Sequence, residues 1–228
     1  MGSDPRTVRG SDPTIALGIV IASKSFDPMA RQPRVTLANH VYHVMNRAAK
    51  GTVLFANASD YLQFERTLES AVARFPMRIL AYCMMPTHFH LLLWPRRDGE
   101  VSRFVKWLTA THARRWNETH ATVGRGAVYQ SRFRSVWVEN DEHLLKTWRY
   151  VERNALNADL VTHAEDWRWC SLWRRIRGPH PHPLCEGPVA LPSDWVDLLN
   201  VRVIAASDQR KRKMGSDPRT GTGVRPQD

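Results

Sequence analysis

Thr87-His88-Phe89-His90-Leu91-Leu92-Leu93 concentrates more potential chemistry than any other stretch of the chain. In an extended strand successive side chains alternate faces. His88 and His90 therefore project to one side, and Phe89, Leu91 and Leu93 to the other. Two imidazoles on one face, with Cβ atoms roughly 7 Å apart, can chelate one divalent metal ion. Imidazole suits several first-row metals. A bare His-x-His is more often one core histidine and one surface histidine. Here the pair interrupts an otherwise continuous apolar run, where solvent-seeking rings are costly unless they have partners.

Tyr150 is the second point of interest. On the helix expected around it, Leu144, Trp148, Val151 and Ala155 form the inward stripe. Tyr150 lies about 100° round from Val151. Asn154 follows one turn later on the Tyr150 face, with His143 and Thr147 on the same side. A tyrosine so placed is ordinarily an amphipathic boundary residue, and spacing alone does not raise it above that. The third point is a set of cations interleaved with aromatics. Arg103, Lys106, Arg114 and Arg115 fall on an expected helix, and Arg125, Arg132 and Arg134 in or near an expected strand. Trp107, Trp116, Trp137 and Trp148 lie among them. Arginine forks fit phosphates and aromatic faces stack on unpaired bases. Most of these tryptophans are nonetheless expected in the core.

These residues need elements to hold them. His40 to Arg47 alternates as a short strand. Ser59 or Asp60 can cap a helix to about Phe75, whose stripe is Phe64, Leu68, Ala71, Val72 and Phe75. Met77 to Met84 and His88 to Trp94 read as strands joined tightly by Met85-Pro86-Thr87. Glu100 to Glu118 reads as a helix, Tyr129 to Val138 as a strand, and Asn140 or Asp141 caps a last helix through about Ala158. The order strand, helix, strand, strand, helix, strand is the split βαβ pattern of a ferredoxin-like α+β fold: an antiparallel sheet with two helices on one face. The other face is left for the last helix or a ligand. Beyond about Asp166, Trp167, Trp169, Trp173 and Trp195 suggest an aromatic-rich extension.

The chain has 228 residues, 43% of them hydrophobic, and 33 Lys+Arg against 22 Asp+Glu give a net charge of +11. That hydrophobic content excludes whole-chain disorder, and that charge points to a polyanionic partner. Three scattered cysteines without a Cys-x-x-Cys pair argue against a disulfide framework or a zinc ribbon. No apolar run approaches a membrane span, and residues 1–22 make a poor secretory signal. The expected location is the cytoplasm, with the nucleoid. Gly-Ser-Asp-Pro recurs at 2–5, 10–13 and 215–218. Residues 1–37 read as a flexible tail, 38–175 as the domain, 176–200 as an extension, and 201–228 as a disordered tail carrying Arg210-Lys211-Arg212-Lys213.

Taken in order, Tyr42-His43-Val44-Met45-Asn46-Arg47, Ala81 to Leu92, Tyr129-Gln130-Ser131-Arg132-Phe133 and Tyr150-Val151-Glu152-Arg153-Asn154 resemble the REP-associated tyrosine transposases. These belong to the HUH single-tyrosine transposases, and the resemblance spans about residues 38–175. It implies a ferredoxin-like domain with the last helix as an added catalytic helix. It also implies a divalent metal, Mg²⁺ or Mn²⁺, held by His88 and His90 with Asn154 completing the site, and Tyr150 as nucleophile. The implied partner is single-stranded DNA carrying a hairpin from repetitive extragenic palindromes, cut through a 5′-phosphotyrosine by a monomer or homodimer. Arg103, Lys106, Arg114, Arg115, Arg132 and Arg134 are the candidate DNA contacts. The chain departs from the family at Thr87, where asparagine is usual, and at Ala155 to Asp159, where Asn157 stands in place of a basic residue. Two rival readings are a non-catalytic single-stranded nucleic-acid-binding module of the same fold and a metallohydrolase using water.

Overall fold

The computed structural model describes residues 35–178 and 184–201. The tails expected at either end, including the Arg210 to Lys213 run, lie outside the described residues except at 35–37 and 201. Residues 35–37 are tied to the domain: Leu37 N–H donates to Tyr42 Oη at 2.7 Å, and Gly99 N–H donates to the carbonyl of buried Thr36.

The sheet comprises β1 (Val41–Arg47), β2 (Arg78–Met85), β3 (His88–Trp94) and β4 (Arg134–Val138) in the order β2-β3-β1-β4, every neighbouring pair antiparallel. With α1 (Ala58–Arg74) between β1 and β2, and α2 (Glu100–Thr119) between β3 and β4, this is the expected ferredoxin-like topology. α1 begins earlier than Ser59 or Asp60. Asn57 is its cap, accepting from the Ser59 and Asp60 N–H groups, and the Asp60 carboxylate reaches back to Asn57 N–H. Asp60 is thus the far half of a capping box.

β4 is shorter than the expected Tyr129 to Val138. Tyr129 bridges Ala48, and Arg134 pairs with Met45. Three steps along β1 therefore face five along the other chain, and the surplus bows outward with Gln130, Ser131 and Arg132 exposed. Arg132 and Arg134 do not alternate within one strand.

Strand alternation divides the interior into two cores. Tyr42, Val44, Phe89, Leu91 and Leu93 pack with Phe64, Leu68, Phe104 and Leu108 of α1 and α2. Leu80, Ala81, Cys83 and Leu92 meet α3 (Asp141–Glu152) and α4 (Asn154–Asn157) on the opposite face. This second core is completed by Ala164, by Leu172 of α5 (Ser171–Arg177), and by Trp195 and Leu199 of α6 (Trp195–Asn200). The residues beyond the split βαβ pattern thus form the cover of the sheet's second face.

The expected single helix from Asn140 to Ala158 is two segments. Asn140 caps the first, accepting from His143 N–H at 2.9 Å. Arg153, at φ −91° and ψ 0°, separates it from α4. The break falls next to Glu152, which is fully buried. Its Oε1 accepts from Ser171 Oγ and Arg175 Nη1, each at 2.6 Å, and its Oε2 from Trp195 Nε1 at 2.8 Å. Ser171 Oγ also accepts from Tyr82 N–H on β2, and Arg175 donates to the Leu80 carbonyl. One carboxylate thereby fixes the end of α3 to β2, α5 and α6.

Candidate active site

His88 and His90 do share a face, the one covered by α3 and α4. Antiparallel pairing adds what spacing could not show. Met45 stands opposite His90 and Arg47 opposite His88, so His43, one diagonal step away, lies on the same face. Its ring stacks on His90, centroids 5.1 Å apart, with Nε2 2.9 Å from His90 Nδ1. His43 appears in the first resembling segment, but nothing in the sequence marks it as a neighbour of His90.

Asn154 is buried and its Nδ2 lies 3.5 Å from His90 Nε2. Its side chain also favours the charged form of His88, against the burial that lowers it. These contacts imply a proton arrangement. If the Asn154 amide donates to His90 Nε2, that nitrogen carries a lone pair. His90 Nδ1–H then donates to His43 Nε2. His43 thus orients the His90 ring through its other nitrogen, the usual partner arrangement of a ligating imidazole.

Burial sets the protonation state. It depresses His90 to about 3, aided by His43 and His88. His43 is depressed to about 4 by burial and then by the charge of His143. His88 is lowered by burial and then by Arg47. All three are neutral at pH 7, with ring lone pairs available. Among the described residues no three of His, Cys, Asp and Glu converge to hold a metal. What the site offers is two neutral imidazoles and an amide oxygen, a donor set that fits a divalent ion and suits Mn²⁺ better than all-oxygen-seeking Mg²⁺.

Tyr150 stands over this cluster. Its ring centroid is 5.5 Å from that of His90 and 5.8 Å from that of His43, edge-on to both, and it is 48% exposed. The structure therefore brings together His88, His90, Asn154 and Tyr150, although Tyr150 and Asn154 belong to two helical segments. Tyr129 lies elsewhere, its ring against Phe89 and its hydroxyl 2.6 Å from His112 Nδ1.

The candidate DNA contacts divide. α2 covers the far face of the sheet, so Arg103, Lys106, Arg114 and Arg115 lie behind the histidines. Arg114 pairs with Glu118, Arg115 donates to Thr67, and Arg103 donates to the Asp98 carbonyl. Arg134 is on β4 opposite Met45, on the histidine face, and Arg132 is in the bow before it. Arg47, opposite His88, is a cation beside the site that the sequence did not single out.

A ferredoxin-like sheet with paired histidines beneath a helix-borne tyrosine is the arrangement that the resemblance to the transposases implies. The family described as "Transposase IS200 like" matches residues 36–154, more than half of the chain, and the chain belongs to that family. It is similar to a REP-associated tyrosine transposase of Haemophilus influenzae, 22% identical over 146 residues that cover 60% of this chain and 77% of that one. It also resembles a solved REP-associated tyrosine transposase bound to a REP hairpin. There the TM-score is 0.54 at 18% identity, covering 72% of this chain and 96% of the other, a likeness of fold. No helix among the described residues is long and apolar enough to cross a membrane.

Proposed function

We propose that this transposase cuts and rejoins single-stranded DNA at REP-type hairpins, with Tyr150 as nucleophile. The observation that carries the reading is the convergence of His88, His90 and Asn154 beneath a half-exposed Tyr150. His88, His90 and Asn154 would hold a divalent ion such as Mg²⁺ or Mn²⁺, which when bound supplies Lewis-acid polarisation of the scissile phosphate. The Tyr150 hydroxyl attacks phosphorus, the phenolic proton is lost, and the P–O3′ bond breaks. The products are a 5′-phosphotyrosine and a free 3′-hydroxyl that takes up a proton. The phosphodiester is conserved, so a 3′-hydroxyl can reverse the step and join strands without ATP.

The chain's residues contribute position and proton state. His43 sets the His90 tautomer, and the Glu152 ties hold the turn between Tyr150 and Asn154. Exposure of Tyr150 leaves room for a phosphate above the histidines, and single-strandedness lets that phosphate enter. The test is a denaturing gel of the protein with end-labelled hairpin DNA and Mn²⁺ or Mg²⁺. A protein–DNA band is expected. Cleavage without such a band would assign the attack to water.

A further inference from the structure

At the His88 end of the site a pocket of about 300 Å³ opens among Arg47, Lys50, Gly51, Thr52, Thr87 and Gln130. Its lining includes two cations and no acidic or aromatic residue. We infer that this pocket holds a backbone phosphate of the single strand, the one immediately 5′ of the scissile phosphate. This deepens the phosphotyrosine reading, and the polarity rests on it.

Arg47 and Lys50 are exposed, and neither side chain makes an ion pair or hydrogen bond among the described residues. Their charge is therefore open to an anion. A base would call for a stacking ring, which the lining lacks. The hydroxyls of Thr52 and Thr87 and the amide of Gln130 can add neutral donors to a phosphate. Backbone bonds fix the walls. Ala48 N–H donates to the Thr87 carbonyl at 2.8 Å, and Gln130 N–H to the Arg47 carbonyl at 3.0 Å. Thr52 N–H donates to the Ala49 carbonyl at 2.9 Å, closing a turn in which Gly51 stands at φ +82°. That left-handed conformation suits glycine at the third position of a turn. Both cations thus sit on segments tied to the sheet.

Register gives the pocket its place. Tyr150 stands over His90 and His43. His88 is two residues back along β3, with Arg47 opposite it. Thr87 Oγ1 lies 3.2 Å from His88 Nδ1, so the pocket wall meets the proposed metal ligand. The order along the face is Tyr150 over His90, then His88, then the pocket. In the displacement the phenolic oxygen and the departing O3′ lie on opposite sides of phosphorus. With the scissile phosphate at His88 and His90, the strand ending in the new 3′-hydroxyl leaves on the side away from Tyr150, where the pocket lies. A phosphate of that strand held there would keep the 3′-hydroxyl beside the phosphotyrosine for rejoining.

The test uses the full chain and hairpin DNAs carrying one neutral methylphosphonate linkage, moved stepwise through the flanking single strand. Wild type should bind several-fold more weakly when the first linkage 5′ of the cut is neutral, and should release the 3′-hydroxyl product faster. The double variant Arg47→Gln/Lys50→Gln, changed at exposed positions, should keep the wild-type thermal unfolding. It should bind the all-phosphate hairpin several-fold more weakly, lose the response to that linkage and show a log–log salt slope smaller by about 0.7. Lys50→Gln alone, on the turn, should shift each readout in the same direction by less. If wild type responds to no neutral linkage, or the double variant responds as wild type does, the pocket holds no phosphate. If the linkage whose effect the double variant erases lies 3′ of the cut, the polarity is overturned. If that linkage is found but no adduct forms, the phosphate pocket stands while the phosphotyrosine reading fails and takes the polarity with it.

Discussion

The two faces of the sheet each bury a histidine almost completely, and each is depressed to about 3 chiefly by that burial. His112, on the α1/α2 side, sits among Phe55 and Phe64 with Tyr129 Oη on its Nδ1 and, among the described residues, no partner on its Nε2. His90, on the α3/α4 side, sits among His43, His88, Asn154 and Tyr150. Equal burial and equal depression therefore do not distinguish a site from a core. What distinguishes them is whether several polar groups converge and whether one of them remains open to a ligand. Tyr150 meets that condition, and Tyr129, whose hydroxyl is pushed far above its ordinary range by burial, does not.

The sharpest way to break this contrast is at the two tyrosines. Tyr150→Phe removes one exposed oxygen and should abolish the covalent adduct, with cleavage reduced by on the order of a thousandfold or more. Tyr129→Phe should keep the adduct and cost on the order of 1 kcal/mol in urea unfolding. An adduct surviving in Tyr150→Phe would move the nucleophile elsewhere.

The histidines give the next effect. His90→Ala should reduce cleavage by more than a hundredfold while hairpin affinity, carried mainly by phosphate contacts, changes little. His112→Ala should do the reverse, keeping cleavage per folded molecule and losing about 2 kcal/mol of stability. Equal loss of cleavage in both would erase the distinction between the faces.

Each face also has a buried glutamate clamp. Glu65 on α1 holds Arg174 at 2.6 Å, and Glu152 on α3 holds Arg175 at 2.6 Å. Glu65→Gln and Glu152→Gln should each destabilise by about 3 kcal/mol. Only Glu152→Gln should also slow adduct formation in the remaining folded protein, because Glu152 lies between Tyr150 and Asn154. Single-turnover rates corrected for the folded fraction separate the two.

The most gradual effect is in pH. His112 is lowered from 6.5 to about 3, so the unfolded chain binds the extra proton between those values. Its contribution is fully present above pH 6.5 and lost as pH falls toward 3. The midpoint of urea unfolding should fall over that range less steeply in His112→Gln than in wild type. An unchanged slope would mean that His112 takes up its proton while folded.

Much of this was legible in the chain itself. Alternation placed His88 and His90 on one face because strand geometry is local, and the element order, the Asn140 cap and the β3 limits followed from local pattern and turn chemistry. Local pattern was misleading where a neighbour intervened. Asp60 looked like a cap because its reach back to Asn57 is invisible in a list of residues. Tyr129 to Val138 looked like one strand because the mismatch with β1 depends on pairing. The last helix looked continuous because no glycine or proline marks Arg153.

What only the tertiary structure decided is who meets whom. His43 is 47 positions from His90 and joins it through the β1–β3 register. The α2 cations lie behind the sheet because that helix crosses on the far face. The ties of Glu152 come from Ser171, Arg175 and Trp195, brought in by the C-terminal cover. Sequence by itself determines the direction of a side chain relative to its own strand or helix, a property of a few adjacent bonds. Contacts between distant segments depend on register and on which face each helix covers, and burial of the whole chain fixes both.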